Sequence, residues 1–147
     1  MVYEILKGDR EAMHAKVAEM LLQSVKGVLK KKELVVIGVP GGRSVQGIYE
    51  AMLTLPFPWD KMLFFLVDER WVPVEDEESN FRVLHDHLLA PLNDEMVEVA
   101  AMPFNIEEGV EAYTEAFQEF GGSFDIILLG VGEDGHVASL FPDHDVI

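Results

Sequence analysis

Three short apolar runs constrain this chain more than any other feature: LVVIGV at 34–39, KMLFFLVD at 61–68 and FDIILLG at 124–130. Each is rich in β-branched or aromatic residues, and none alternates with polar ones. A strand with one solvated face alternates, whereas a continuous run suits a strand covered on both faces. Between the runs the apolar period becomes helical. From Asp9, read as an N-cap, apolar side chains fall at Met13, Val17, Met20, Leu21, Val25, Val28 and Leu29, and Lys30–Lys32 suit the negative end of the helix dipole. SVQGIYEAML at 44–53 reads as a second helix capped by Ser44. A third begins near Ser79 and turns Phe81, Leu84, Leu88 and Leu89 inward; a fourth carries Ile106, Val110, Tyr113, Phe117 and Phe120 on one face. VEVAAM at 97–102 is a weaker strand, and VYEIL at 2–6 reads as a short edge strand. Buried strands alternating with helices give an α/β domain over residues 1–147, its sheet largely parallel and covered on both faces.

The chain has 147 residues, enough for one domain with a core and too few for two. Its apolar runs are far shorter than a bilayer span, so no transmembrane helix is expected. The N-terminus, MVYEILKGDREAM, lacks the basic region and cleavage site of a signal peptide. There are no cysteines, hence no disulfide framework and no thiolate nucleophile or ligand. A cytoplasmic location is the expectation. The formal charge of −16 repels phosphate backbones and argues against a nucleic-acid partner. A small anionic ligand remains compatible with that charge where local arginines, backbone N–H groups or a helix start meet it.

In a parallel α/β sheet ligands sit beyond the carboxyl ends of the strands. Three loops leave such ends, at 40–44, 68–73 and 130–136. In PGGRS, Gly41 and Gly42 let backbone amides approach a ligand, with Arg43 and Ser44 adding charge and a hydroxyl; the same residues would also serve a plain tight turn. The loop lacks the spacing of a Walker A motif. In DERWVPVEDEESN, Asp68, Glu69 and Arg70 can bind hydroxyls and an anionic oxygen, or can form an ion-pair network at the rim. Ser79 and Asn80 can cap the helix that follows.

The third loop, LLGVGEDGHVASLFP, spells G-x-G-x-x-G at Gly130, Gly132 and Gly135. A dinucleotide site needs an acid roughly twenty residues further on to hold the ribose, and only twelve residues follow Gly135. The cofactor reading is therefore set aside. His136, at the mouth of this loop, suits a general base, since an unperturbed imidazole titrates near pH ~6.5; a structural histidine is the alternative. Asp134 can orient the ring or bind substrate. No designed metal site is expected: His85 and His87 stand two apart on a helix and point to different faces, and Asp143, His144 and Asp145 form a tail. Ser139 lacks the G-x-S-x-G elbow of a nucleophile.

Taken together, GGRS at 41–44, VDERWVP at 67–73, SN at 79–80 and LGVGEDGHVASLFP at 129–142 resemble the 6-phosphogluconolactonase family in order and spacing. The resemblance implies a Rossmann-like sheet shared with sugar-phosphate isomerases and deaminases. It implies hydrolysis of 6-phospho-D-glucono-1,5-lactone to 6-phospho-D-gluconate without a cofactor, on a small anionic sugar-phosphate substrate. Carried over by position, His136 looks like the general base, with Asp134 beside it. Arg70 looks like the residue that holds phosphate or lactone oxygens, and Gly41, Gly42 and Arg43 like part of the phosphate loop, with Ser44, Asp68 and Asn80 as further binding positions. Val45 stands where the family usually has a proline. The family fold continues past its histidine motif with further strands, a helix and a basic residue, so the C-terminal part of that fold is expected to lie outside this sequence. The rival readings are a glucosamine-6-phosphate deaminase or isomerase and a non-catalytic sugar-phosphate-binding domain.

Overall fold

The apolar runs form one parallel sheet. A computed structural model describes residues 3–92, 98–100 and 106–143. In it β1 (Val35–Val39), β2 (Met62–Leu66), β3 (Glu98–Ala100) and β4 (Ile126–Ile127) stand in the order β3-β2-β1-β4, every neighbouring pair parallel. Every residue of β1 and β2 is buried, as uninterrupted apolar runs require. The register sets Val35 opposite Met62, Ile37 opposite Phe64 and Val39 opposite Leu66, so these six share a face. Val36, Leu63 and Phe65 point the other way.

The first face is covered by α1 (Arg10–Val28), α2 (Gln46–Leu53) and a helical stretch over residues 80–92. Its core is built from Ala18, Leu21, Leu22 and Val25 of α1, Tyr49 and Met52 of α2, and Leu84, Leu88 and Leu89. The stretch consists of α3 (Asn80–Leu84), a π-helical turn (His85–Leu89) and α4 (Ala90–Leu92). Pro91 has no N–H to offer the carbonyl four residues back, and the helix widens just before it, with the Ala90 amide reaching the His85 carbonyl. The second face is covered by α5 (Ile106–Glu119). There Phe65 meets Tyr113, Phe117 and Phe124 edge-on at 5.4, 5.4 and 6.1 Å between ring centres. Asp125 ties the layers: its carboxylate takes the Lys32 ammonium at 2.5 Å and the Val36 amide at 3.0 Å. Asp9 caps α1 as expected, accepting from the Ala12 amide at 2.9 Å. Among the described residues no helix is long and apolar enough to cross a membrane.

Four expectations need correction. Residues 3–6 form no strand, and Tyr3 and Ile5 are exposed, because an alternating pattern makes a strand only where a sheet edge receives it. Ser44 does not cap α2: Val45 takes the N-cap position with no side-chain cap, and its own side chain is buried in the core. In the last apolar run only Ile126 and Ile127 pair, on the outside of β1, so Ile127 and Leu129 are about half exposed rather than covered. Met20 and Val110 also face outward. Residues 97 and 101–102 of the weaker strand, the side chain of Ile106, and His144 and Asp145 lie outside the described residues.

Candidate active site

Because all four strands run parallel, the loops after β1, β2 and β4 leave the sheet on one edge. The β1 loop is held from below. Tyr49, fully buried on α2, donates its hydroxyl to the Pro40 carbonyl at 2.6 Å, and burial pushes the phenol's pKa far up. Tyr49→Phe leaves that carbonyl without its donor, at an expected cost of about 1–3 kcal/mol in urea unfolding; an unchanged midpoint would show that the loop is held elsewhere. Gly41 is a steric requirement. A Cβ built on it would lie 1.9 Å from Asn80 Oδ1, so the loop and the start of α3 touch backbone to side chain. Arg43 and Ser44 are exposed.

The β2 loop and α3 are joined by two carboxylates. Asp68 accepts the Asn80 side-chain amide at its main-chain carbonyl, 3.0 Å, and at Oδ1, 3.2 Å. Its Oδ2 accepts the Ser139 hydroxyl at 2.7 Å, which links the second loop to the third. Glu69 turns away from this rim. Its Oε1 takes the amides of Arg70 at 2.6 Å and Asn80 at 2.7 Å, and its Oε2 takes the Phe81 amide at 2.8 Å and the Ser79 hydroxyl at 3.2 Å. Ser79, the N-cap of α3, accepts in turn from the Arg82 amide. Ser79 and Asn80 are almost fully buried, so these bonds are not replaced by water. Behind the loop the Tyr113 hydroxyl donates to the Leu66 carbonyl; burial, and then the nearby Glu69 and Asp68 charges, raise the phenol's pKa.

The third loop folds back as a narrow hairpin. The Gly132 amide reaches the His136 carbonyl, and Val137 pairs with both Val131 and Leu140. His136 Nδ1 lies 2.5 Å from Asp134 Oδ1, and the ring stacks on Phe141 at 4.8 Å between centres. An ionised carboxylate only accepts, so Nδ1 is the donor in this pair, which in a neutral ring makes Nε2 the acceptor nitrogen. The His136 hydrogen bond holds Asp134 below the ordinary carboxylate range, so it stays ionised at neutral pH. The glycines of G-x-G-x-x-G serve this loop. A Cβ on Gly132 would sit 2.2 Å from His136 Cε1 and Nδ1, and Gly135 has φ +87°, the left-handed region that glycine enters without strain.

The structure thus brings Gly41, Asp68, Asn80 and the loop of Asp134 and His136 together through direct contacts. Arg43 and Arg70 stand exposed at the rim, and among the described residues neither guanidinium has an ion pair. Three contributors escaped sequence reasoning. For Glu69 the sequence leaves hydroxyl binding and a rim ion-pair network both open, and the carboxylate instead takes backbone amides and the Ser79 hydroxyl; Ser139 enters only as a rejected nucleophile, and Tyr49 stands within the second helix with no role assigned. Their signals are spatial: an acid ten residues before a helix cap looks like any other acid in a charged loop. His85 and His87 have separate carboxylate partners, Asp86 and Glu50, each at 2.9 Å. Among the described residues no three His, Asp or Glu side chains stand close enough to hold a metal ion.

Residues 8–147 match the profile of the family described as glucosamine-6-phosphate isomerases/6-phosphogluconolactonase. A 6-phosphogluconolactonase of Thermotoga maritima is 34 % identical over 127 residues, covering 85 % of this chain and 58 % of the relative. One from Caulobacter vibrioides is 34 % identical over 149 residues, covering 95 % and 61 %. The crystal structure of the Thermotoga maritima 6-phosphogluconolactonase superposes with a TM-score of 0.80 at 31 % identity, over 94 % of this chain and 63 % of that one. The chain therefore spans about three-fifths of the length of these relatives.

Proposed function

The chain belongs to the family of glucosamine-6-phosphate isomerases and 6-phosphogluconolactonases, and we propose that the whole protein hydrolyses 6-phospho-D-glucono-1,5-lactone to 6-phospho-D-gluconate with His136 as general base. One observation carries this reading: an imidazole held at Nδ1 by the Asp134 carboxylate, on a strand-end loop tied through Ser139 to Asp68. The names of the relatives, 6-phosphogluconolactonase, support the substrate.

Water approaches the lactone carbonyl carbon while Nε2 takes its proton, and the carbonyl electron pair moves onto oxygen. Collapse of that tetrahedral adduct breaks the bond to the ring oxygen, which receives the proton from Nε2 and leaves as the sugar's own hydroxyl. The carboxylic acid then ionises, so each turnover releases one proton. A lactone is an activated ester, and a positioned base with modest stabilisation of the oxyanion is sufficient chemistry. Arg43 and Arg70 supply positive charge for the phosphate and the developing oxyanion in a chain whose formal charge is −16. Gly41 and Gly42 bring backbone amides to the same phosphate, Ser44 adds a hydroxyl, and Asp68 with Asn80 lines the sugar side. No step calls for a cofactor.

The test is a pH-stat record of proton release from freshly generated lactone. Acceleration over buffer, linear in protein concentration, is the expected outcome. Binding of 6-phosphogluconate with no acceleration would replace the hydrolase with a sugar-phosphate-binding domain. Release of ammonia from glucosamine 6-phosphate would move the protein to the deaminase reading.

A further inference from the structure

We propose that Glu69 is the positioning residue of this site: its carboxylate locks the β2 loop onto the start of α3 and thereby sets where Arg70 and Asp68 meet the sugar phosphate. The proposal rests on the sugar-phosphate reading above.

The geometry is unusual for an acid in a charged loop. Both oxygens of Glu69 are engaged, Oε1 by the Arg70 and Asn80 amides and Oε2 by the Phe81 amide and the Ser79 hydroxyl. Charge-assisted bonds of this kind are among the stronger ones a protein makes. Three of the four join Glu69 to residues ten to twelve further on and the fourth to its neighbour Arg70, and the two sides of the clamp carry different parts of the site. On one side the Arg70 amide is fixed, hence the direction in which its exposed side chain departs. On the other the Asn80 backbone is fixed, and the Asn80 side chain holds both the carbonyl and the carboxylate of Asp68. Asp68 then receives Ser139 from the histidine loop. Glu69 holds Arg70 and Asn80 by their backbone amides rather than by their side chains, so its effect on binding passes through the placement of those two residues.

The clamp needs a carboxylate. In Glu69→Gln, either orientation turns an NH₂ towards backbone amides that can only donate: those of Arg70 and Asn80, or that of Phe81. Glu69→Asp keeps the charge but draws it back by one methylene, out of reach of α3.

The experiment compares wild type, Glu69→Gln and Asp125→Asn by calorimetric titration with 6-phosphogluconate, which needs no turnover, alongside lactone hydrolysis. Asp125 also accepts a backbone amide, that of Val36, but on the side away from these loops, so its variant measures lost stability alone. Losing a charge-assisted clamp should weaken 6-phosphogluconate binding and raise KM about tenfold or more in Glu69→Gln. Asp125→Asn, read well below its unfolding midpoint, should bind within about twofold of wild type, as sites without shared partners act independently. If Glu69→Gln does not fold, Glu69→Asp is read in the same way. Wild-type affinity in a folded Glu69 variant, or an equal loss in Asp125→Asn, overturns the proposal. Wild type that binds 6-phosphogluconate without hydrolysing lactone would overturn the hydrolase reading while the Glu69 comparison still decides this one; wild type that does not bind it overturns both.

Discussion

His136→Ala should lower kcat/KM for 6-phosphoglucono-1,5-lactone by about 10²–10⁴-fold, the range a lost general base commonly costs, in a protein that still folds. Folding is expected to survive because the imidazole is about one-third exposed and makes its side-chain hydrogen bond to an exposed partner, Asp134. The loop around it is held by its own backbone pairs, from Gly132 to the His136 carbonyl and between Val137 and Leu140. Far-ultraviolet circular dichroism and 6-phosphogluconate affinity should therefore stay close to wild type while turnover collapses. Asp134→Asn sharpens the test. An asparagine can turn its NH₂ to Nδ1, which makes Nδ1 the acceptor, puts the ring proton on Nε2 and removes the base without removing the ring. A loss in Asp134→Asn approaching that of His136→Ala would identify the tautomer as what matters. Full turnover in a folded His136→Ala would sink the general-base assignment, whatever the substrate.

The strands that every neighbour covers were the most legible part of the fold. LVVIGV and KMLFFLVD have no polar alternation because β1 and β2 lie in mid-sheet with helices on both faces. FDIILLG has the same composition and a different fate, since Ile127 and Leu129 depend on what lies beyond β1's outer neighbour, and sequence pattern is silent on strand order. VYEIL shows the converse, an alternating segment whose described residues, 3–6, join no strand. Helix starts were legible where the cap is local: Asp9 and Ser79 each bond an amide three residues on. Ser44 had the right chemistry and lost to the burial of Val45, a tertiary effect that outweighs a cap of about 1 kcal/mol. Within the candidate site, the motifs mark the strand-end loops on which Gly41 and His136 stand, because those loops are contiguous in sequence. Glu69 and Ser139 act across gaps of ten and seventy-one residues. A gap of that size leaves no periodicity to read.

Gly41→Ala should be the most damaging single-methyl change at the site, and its neighbour supplies the control. The added Cβ would stand 1.9 Å from Asn80 Oδ1, 2.2 Å from Cγ and 2.5 Å from Cβ, so the collision reaches the root of the side chain and cannot be relieved by rotating its tip. Asn80 has nowhere to go. It is almost fully buried, its amide is bound to Glu69 and its side chain to Asp68. Either the PGG loop lifts, against the Tyr49 bond to Pro40, or Asn80 releases Asp68. Overpacking of this kind costs about 1–3 kcal/mol of stability. The displacement of binding groups by an ångström or so adds a loss of about 10²-fold in kcat/KM. Gly42, by contrast, has nothing within 4 Å of its would-be Cβ and a φ of +89°. Gly42→Ala should therefore cost only the backbone strain of about 1–2 kcal/mol, with Asn80 and Asp68 left in place and a much smaller loss of turnover. Urea unfolding and lactone kinetics on the two variants separate the mechanisms. Comparable stability losses with unequal activity losses mean that the contact between Gly41 and Asn80 holds the site in register. Equal activity in both would mean that the loop bends freely, and that Asn80 keeps Asp68 placed without it.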